Sequence, residues 1–264
     1  MLGVIAGDVI GSRFEWHPIK TIDFPLFHPL CSFTDDTVLT VATAWAILHG
    51  RPFEEAYLDF GRRYPRAGYG GSFHKWLAAE DPQPYNSWGN GSAMRVAPIG
   101  LACSDVASVL REAERSAAPT HNHPDGIKGA QAAALAVFLA RRGAAKEEIR
   151  KEISGRFRYD LDRTIDGIRP HYFFDVTCQG TVPEAILAFL ESTDYESTVR
   201  LAISLGGDSD TLAAIAGGIA HAYYNRIADD IVTEVRQKLP QEFLETIDRF
   251  EATFGSAAGR RERR

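Results

Sequence analysis

Apolar residues recur along most of this chain at intervals of three and four, which is the spacing of one face of an α-helix. Val38, Val41, Ala42, Trp45 and Leu48 form one such stripe, and Leu212, Ile215, Ala216, Ile219 and Tyr223 form another. The same periodicity predicts a first helix within Gly3 to Glu15, where Gly7 and Gly11 lie four apart and leave a face that another helix can approach closely. Further helices are expected from Pro52 to Tyr64, around Phe73 to Leu77, from Ser92, from Asp105 to Ala118, from Pro124 to Arg141, and from Lys146 to Arg158 with an end near Gly155. Toward the C-terminus they are expected from Cys178 to Leu190, Glu196 to Leu205 and Thr211 to Tyr224, with one or two more within Asp229 to Phe254. Pro18, Pro25 and Pro29 exclude a long helix between Trp16 and Cys31, and Asp162 to Gln179 reads as irregular.

No stretch alternates with period two over a convincing length, so the expected fold is all-α, a single compact orthogonal bundle of roughly a dozen helices. No linker divides the chain. Residues 1–254 are expected to form one catalytic domain, followed by a basic, disordered tail over 255–264 with Arg260, Arg261, Arg263 and Arg264.

Composition narrows the function classes. The 264 residues carry a formal net charge of −6, which argues against a generic nucleic-acid surface and favours small metabolites or modified proteins as partners. Cys31, Cys103 and Cys178 are scattered and form no CxxC pair, as expected of a reduced chain. Asp8 interrupts the apolar start, no basic segment precedes it, and no run reaches membrane-spanning length. A cytoplasmic protein without a membrane association is expected.

The candidate chemistry sits where two stripes begin. Ser32-Phe33-Thr34-Asp35-Asp36-Thr37 precedes the first, and Gly207-Asp208-Ser209-Asp210-Thr211 opens the second. Asp, Ser and Thr are favoured N-caps, and acidic residues suit the positive end of a helix, so either cluster alone would need no further account. Together they hold four carboxylates and three threonines, more oxygens than capping uses. Clustered carboxylates raise one another's pKa unless a cation compensates. Oxygen ligands with no Cys or His among them suit Mg²⁺, Mn²⁺ or Ca²⁺ and not zinc. Glu15 lies at the end of the first expected helix, and the short proline-containing loop keeps it near Thr34.

Gly89-Asn90-Gly91 before an expected helix start offers backbone N–H groups to an anion such as a diphosphate. It is neither a Walker A nor a dinucleotide-binding fingerprint, because Lys is missing and no strand precedes it. Tyr85 and Trp88 beside it can stack on a base or simply pack. The letters of Thr120-His121-Asn122-His123-Pro124 suggest a nuclease or a zinc site, but neither the strands nor the further ligands these need are nearby.

These stretches also carry a family likeness. Gly7-Asp8-Val9-Ile10-Gly11-Ser12-Arg13-Phe14-Glu15, Thr34-Asp35-Asp36-Thr37, Gly89-Asn90-Gly91-Ser92-Ala93-Met94-Arg95, Thr120-His121-Asn122-His123-Pro124 and Gly206-Gly207-Asp208-Ser209-Asp210-Thr211 stand in one order from about Gly3 to about Tyr224. In that order they resemble the ADP-ribosylglycohydrolases, the family of the dinitrogenase-reductase-activating glycohydrolase. The resemblance implies a metal-dependent hydrolase that cleaves the glycosidic bond between ADP-ribose and an acceptor and so removes mono-ADP-ribosylation. Two Mg²⁺ ions, with Mn²⁺ as a substitute, would be held by Thr34, Asp35, Asp36, Asp208, Asp210 and Thr211. Glu15, Asp35 and Asp36 are the catalytic candidates. Asn90, Gly91, Ser92, Ala93 and Met94 would bind the diphosphate with His121, and the turn containing Gly180 and Val182 would line the ribose or adenine side.

Some members carry an acidic residue in the stretch corresponding to Gly61 to Ala79, where this chain has none, and that leaves open which carboxylate handles the proton. The substrate would be an ADP-ribosylated protein, nucleic-acid base or small molecule, and ADP-ribose the product. Two rival readings use the same residues: a non-catalytic ADP-ribose-binding module and a metal-dependent nucleotide phosphohydrolase.

Overall fold

The computed structural model describes residues 1–255. Its elements are α1 (Leu2–Gly11), α2 (Asp35–His49), α3 (Phe53–Arg63), α4 (Gly71–Ala78), α5 (Gly91–Met94), α6 (Ala97–Ala102), α7 (Val106–Ala117) and α8 (Pro124–Arg141). They continue as α9 (Lys146–Phe157), α10 (Ile165–Ile168), α11 (Cys178–Glu191), α12 (Tyr195–Ile203), α13 (Ser209–Tyr224), α14 (Asp229–Gln237) and α15 (Gln241–Phe254). The fold is all-α: among the described residues there is no strand, only an isolated antiparallel bridge between Gly89 and Thr177.

Helix α13 is the axis of the molecule. Every residue from Ser209 to Ala220 is buried, as expected of a helix that is apolar or small on all sides. It is enclosed by α1, α8, α11 and α12. Helix α1 runs antiparallel to it at very short range. A Cβ placed on Gly3 would lie 2.3 Å from His221 Cβ, one on Gly7 would lie 2.1 Å from the Ala213 carbonyl oxygen, and one on Gly11 would lie 2.5 Å from the Ser209 carbonyl oxygen. The glycine stripe therefore seats α1 on the backbone of α13. Its consequence is positional, because the C-terminal end of α1 arrives at the N-terminal end of α13.

Helix α2 packs alongside α1 and ends at Gly50 in the left-handed region (φ 60°), the conformation glycine adopts at least cost. Helix α9 passes through Gly155, the expected stop, and ends at Phe157. Buried Ile149, Ile153 and Phe157 lie at helical spacing, and their burial outweighs the roughly 1 kcal/mol that one interior glycine costs. The stretch expected to be irregular contains the short helix α10, capped by the Thr164 side chain. The two alternatives for the C-terminus resolve as α14 and α15, separated before Pro240. No helix among the described residues is long and apolar enough to cross a membrane. The three cysteines are unpaired, Cys31 and Cys178 buried and Cys103 partly exposed. The basic tail expected beyond Gly255 lies outside the described residues.

Candidate active site

The two acidic helix starts meet. Thr34 caps α2 and Asp208 stands at the cap position of α13, and the carboxylates that follow converge on one cleft of about 480 Å³. Glu15, Asp35, Asp36, Asp208, Asp210 and Thr211 line one wall, and Tyr85, Ser87, Gly89, Asn90, Gly91, Met94 and His121 line the other. Trp16, Phe174 and Val176 stand at its margin, with the Trp16 and Phe174 rings stacked at 5.5 Å.

The acidic wall is assembled from three elements. A short 3₁₀ turn, Ser12–Phe14, extends α1 and delivers Glu15 to α13, so that ligand atoms of Glu15, Asp208 and Asp210 lie within 4.8 Å of one another. The charged neighbours of Glu15 are Asp210 and Asp8, and Asp8 in turn accepts from Thr34 Oγ1 at 2.7 Å. Thr211 Oγ1 donates to Asp36 Oδ2 at 3.2 Å, which joins the two helix starts directly.

Asp8 is the residue that sequence reasoning missed. It is fully buried on α1 and accepts from Thr34 N at 2.9 Å, Thr34 Oγ1 at 2.7 Å, Thr37 N at 3.1 Å and the Thr37 hydroxyl. Thr34 Oγ1 also accepts from Asp36 N at 3.3 Å as the helix cap. The hydroxyl thus gives its proton to Asp8 and accepts one bond, which leaves a lone pair for a cation, and Asp8 is the support that orients the Asp35-Asp36 pair. The signal in the sequence was an Asp in the middle of an otherwise apolar helix.

Electrostatically this wall is overcharged. Burial is the main cause that raises Asp35, Asp36 and Asp210 well above the usual carboxylate range, and repulsion among them adds to it. Asp8 and Asp208 are pushed up to about 6, chiefly by burial. Half-buried Glu15 is pushed up to about 7 by burial, then by Asp210 and Asp8. Asp36 Oδ1 and Asp210 Oδ1 are buried without any hydrogen-bond partner. Buried carboxylate oxygens with neither a donor nor a counter-charge are costly, and an oxygen-seeking dication removes both penalties at once. The residues present therefore fit a Mg²⁺-type ion.

The opposite wall is built by a loop that is pinned at several points. Asn90 N donates to Val176 O at 2.7 Å and Cys178 N to Trp88 O at 2.9 Å, so residues 88–90 pair with 176–178. Asn90 Nδ2 donates to Asp208 Oδ2 at 2.7 Å and to Thr181 Oγ1 at 3.1 Å, tying this loop to the acidic wall. The helix expected from Ser92 opens at Gly91 and lasts one turn as α5. Its first amides, those of Gly91 and Ser92, have no intrahelical acceptor by position.

Among the residues expected to bind substrate, Asn90, Gly91, Met94 and His121 line the cleft, whereas Ser92, Ala93, Gly180 and Val182 do not. Ser92 Oγ is turned inward to Gly126 O at 2.7 Å, Ala93 and Val182 are core residues, and Gly180 faces Asp175. His123 caps α8 by accepting from Asp125 N at 3.1 Å, which orders the start of that helix. His121 is only 6% exposed, and burial, then the Arg95 charge, hold it neutral. It differs in this from a solvent-exposed phosphate binder.

The family model for ADP-ribosylglycohydrolases matches residues 1–260. The chain belongs to the ADP-ribosylglycohydrolase family. It is 27% identical to mouse ADP-ribosylhydrolase ARH3, with 96% of this chain and 87% of the relative covered. With human ADP-ribosylhydrolase ARH3 it shares 28% identity over 93% of this chain and 89% of the relative. A solved structure, an ADP-ribosylglycohydrolase-related protein complex, superposes with a TM-score of 0.68 at 27% identity, covering 97% of this chain and 93% of that one. The ARH3 alignments run to more positions than this chain has residues, so this glycohydrolase lacks segments that those relatives carry.

Proposed function

We propose that this glycohydrolase cleaves the glycosidic bond between ADP-ribose and its acceptor, removes mono-ADP-ribosylation, and depends on Mg²⁺ or Mn²⁺. The observation that carries the reading is the pair of partnerless buried oxygens, Asp36 Oδ1 and Asp210 Oδ1, inside a cluster of mutually repelling carboxylates at the floor of the cleft. The ARH3 relatives, which are ADP-ribosylhydrolases, support the substrate class. Asp35, Asp36, Asp208 and Asp210 would hold the ions, with Thr211 and Thr34 beside them. Two bound Mg²⁺ would supply compensating charge and polarise the water and sugar oxygens they contact.

The rest of the chemistry belongs to the protein's own side chains. Glu15 stands at the edge of the cluster, half-buried, with its carboxylate within 4.8 Å of those of Asp208 and Asp210, within reach of a water held there. It takes the proton of the attacking water or steadies the positive charge that develops at the anomeric carbon. Asp35 and Asp36 contribute negative potential to that carbon. The Gly91 amide and the His121 imidazole hold the diphosphate, and this remote binding orients the reacting sugar.

The test is to incubate the protein with ADP-ribosylated arginine, serine, nucleic-acid and small-molecule conjugates, and in parallel with free nucleotides, each with Mg²⁺ and with EDTA. Release of ADP-ribose from a conjugate in the Mg²⁺ arm alone supports the proposal. Release of inorganic phosphate points to a phosphohydrolase, binding without release points to a recognition module, and full turnover in EDTA removes the metal.

A further inference from the structure

Arg95 closes the Gly-Asn-Gly-Ser-Ala-Met-Arg stretch, and the proposed chemistry leaves it unused. It is completely buried and stacks its guanidinium on the Tyr57 ring at 4.1 Å. Nη2 donates to Ser116 O at 2.8 Å and to Thr120 Oγ1 at 2.9 Å, while Nε and Nη1 have no partner. No carboxylate pairs with it among the described residues. A buried cation without a counter-ion is expensive, and its retention is best accounted for by what its charge and donors impose on their neighbours.

The neighbour is a relay into the cleft. Thr120 Oγ1 lies 2.7 Å from His121 Nδ1, and His121 lines the cleft. A Cβ on Gly91 would be 3.1 Å from His121 Nε2 and one on Gly89 3.5 Å, so Nε2 faces the turn that offers its amides. A neutral imidazole carries one proton, and the hydrogen bond at one nitrogen decides which nitrogen has it. Arg95 can only donate, so it occupies a lone pair of Thr120 and polarises that hydroxyl into a stronger donor. The best acceptor within reach is the imidazole nitrogen; the competing acceptor is the Tyr85 phenol, a weaker base.

We propose that Arg95 and Thr120 are positioning residues that hold His121 in the tautomer with Nδ1 accepting and Nε2–H directed at the anionic side of the cleft. The inference rests on the proposed ADP-ribose reading for the identity of the anion, but not for the tautomer. With Nε2–H presented, the histidine donates to a diphosphate oxygen without being charged itself. In the other tautomer it would turn a lone pair toward that oxygen and repel it.

The experiment has two readouts. Ring ¹⁵N NMR of histidine-labelled protein, with the His121 signals assigned by their loss in His121→Asn, reports the tautomer in the free protein. Calorimetry reports affinity for ADP-ribose. The unaltered protein should show a single tautomer protonated at Nε2. Thr120→Val keeps the volume but removes the hydroxyl, and should give mixed tautomers and about tenfold weaker ADP-ribose binding, with Thr120→Ser restoring both. Arg95→Met should also lose the single tautomer; where that variant does not fold, the Thr120 pair carries the test. A wild-type His121 protonated at Nδ1, or a Thr120→Val protein with unchanged tautomer, overturns the relay. Failure of the unaltered protein to bind ADP-ribose overturns the proposed function instead, and the tautomer still scores the relay by itself.

Discussion

The two walls of the cleft have opposite electrostatic character. One gathers five carboxylates with Asp8 buried behind them, every one of the six pushed above its usual range, and leaves two oxygens without partners. The other has no carboxylate among its cleft-lining residues, presents a neutral imidazole, and is backed by a buried guanidinium. A substrate that suits both at once must offer oxygens to cations at one end and an anion to N–H donors at the other. ADP-ribose, with its distal ribose hydroxyls and diphosphate, has that polarity. Asn90 bridges the walls through Asp208, so the two halves are held in fixed register.

The comparison can be broken most severely by stripping the acidic wall of its counter-charge. Chelation with EDTA should reduce ADP-ribose release to background, and Mg²⁺ or Mn²⁺ should restore it. Added Mg²⁺ at about a hundred times its dissociation constant should raise stability by about 2.7 kcal/mol for each ion bound, visible as a higher Tm in a thermal melt. Turnover or a Tm indifferent to the ion would mean that the carboxylates are stable without one.

Glu15→Gln comes next. It keeps the size of the side chain and removes the charge, so turnover should fall roughly 10² to 10⁴-fold while ADP-ribose affinity measured by calorimetry changes little. Near-normal turnover would move the proton-handling role to Asp35 or Asp36. Asp36→Asn and Asp208→Asn should instead weaken metal and ADP-ribose binding together, by roughly 10 to 100-fold, as read by metal titration and calorimetry. The metal-free proteins sharpen the point. Removing one repelling charge should raise the Tm of Asp36→Asn above that of unaltered protein in EDTA, and reverse the order in Mg²⁺. The smallest effect is expected on the opposite wall, where His121→Ala should cost about tenfold in ADP-ribose affinity and leave metal affinity unchanged.

Much of this was legible because the signals are local. Pro124 at the first turn and the apolar periodicity behind it give α8 its limits without further information. The acidic clusters stand at helix starts because cap and first-turn preferences operate over four residues. Signals that depend on neighbours were less legible. Gly155 reads as a stop in isolation, and becomes an interior residue once Ile153 and Phe157 are buried. Nothing in the stretch around Thr34 indicates that an aspartate 26 residues earlier accepts from its hydroxyl. Ser92 shares its motif with the cleft residues Asn90, Gly91 and Met94 and points elsewhere, because successive positions on a turn face different directions.

The sequence by itself determined the helices, the oxygen-only donor set and the family, since periodicity, capping and ordered motifs are written in residue type and spacing. Tertiary structure decided which of those residues share a cleft. Gly3, Gly7 and Gly11 let α1 lie on the backbone of α13, and that contact carries Asp8 to Thr34 and Glu15 to Asp208 and Asp210. It also decided that Arg95 is buried without a carboxylate and that two aspartate oxygens lack a donor. Those outcomes depend on close contacts between segments as much as two hundred residues apart, and neither periodicity nor residue spacing encodes which atoms such contacts leave unsatisfied.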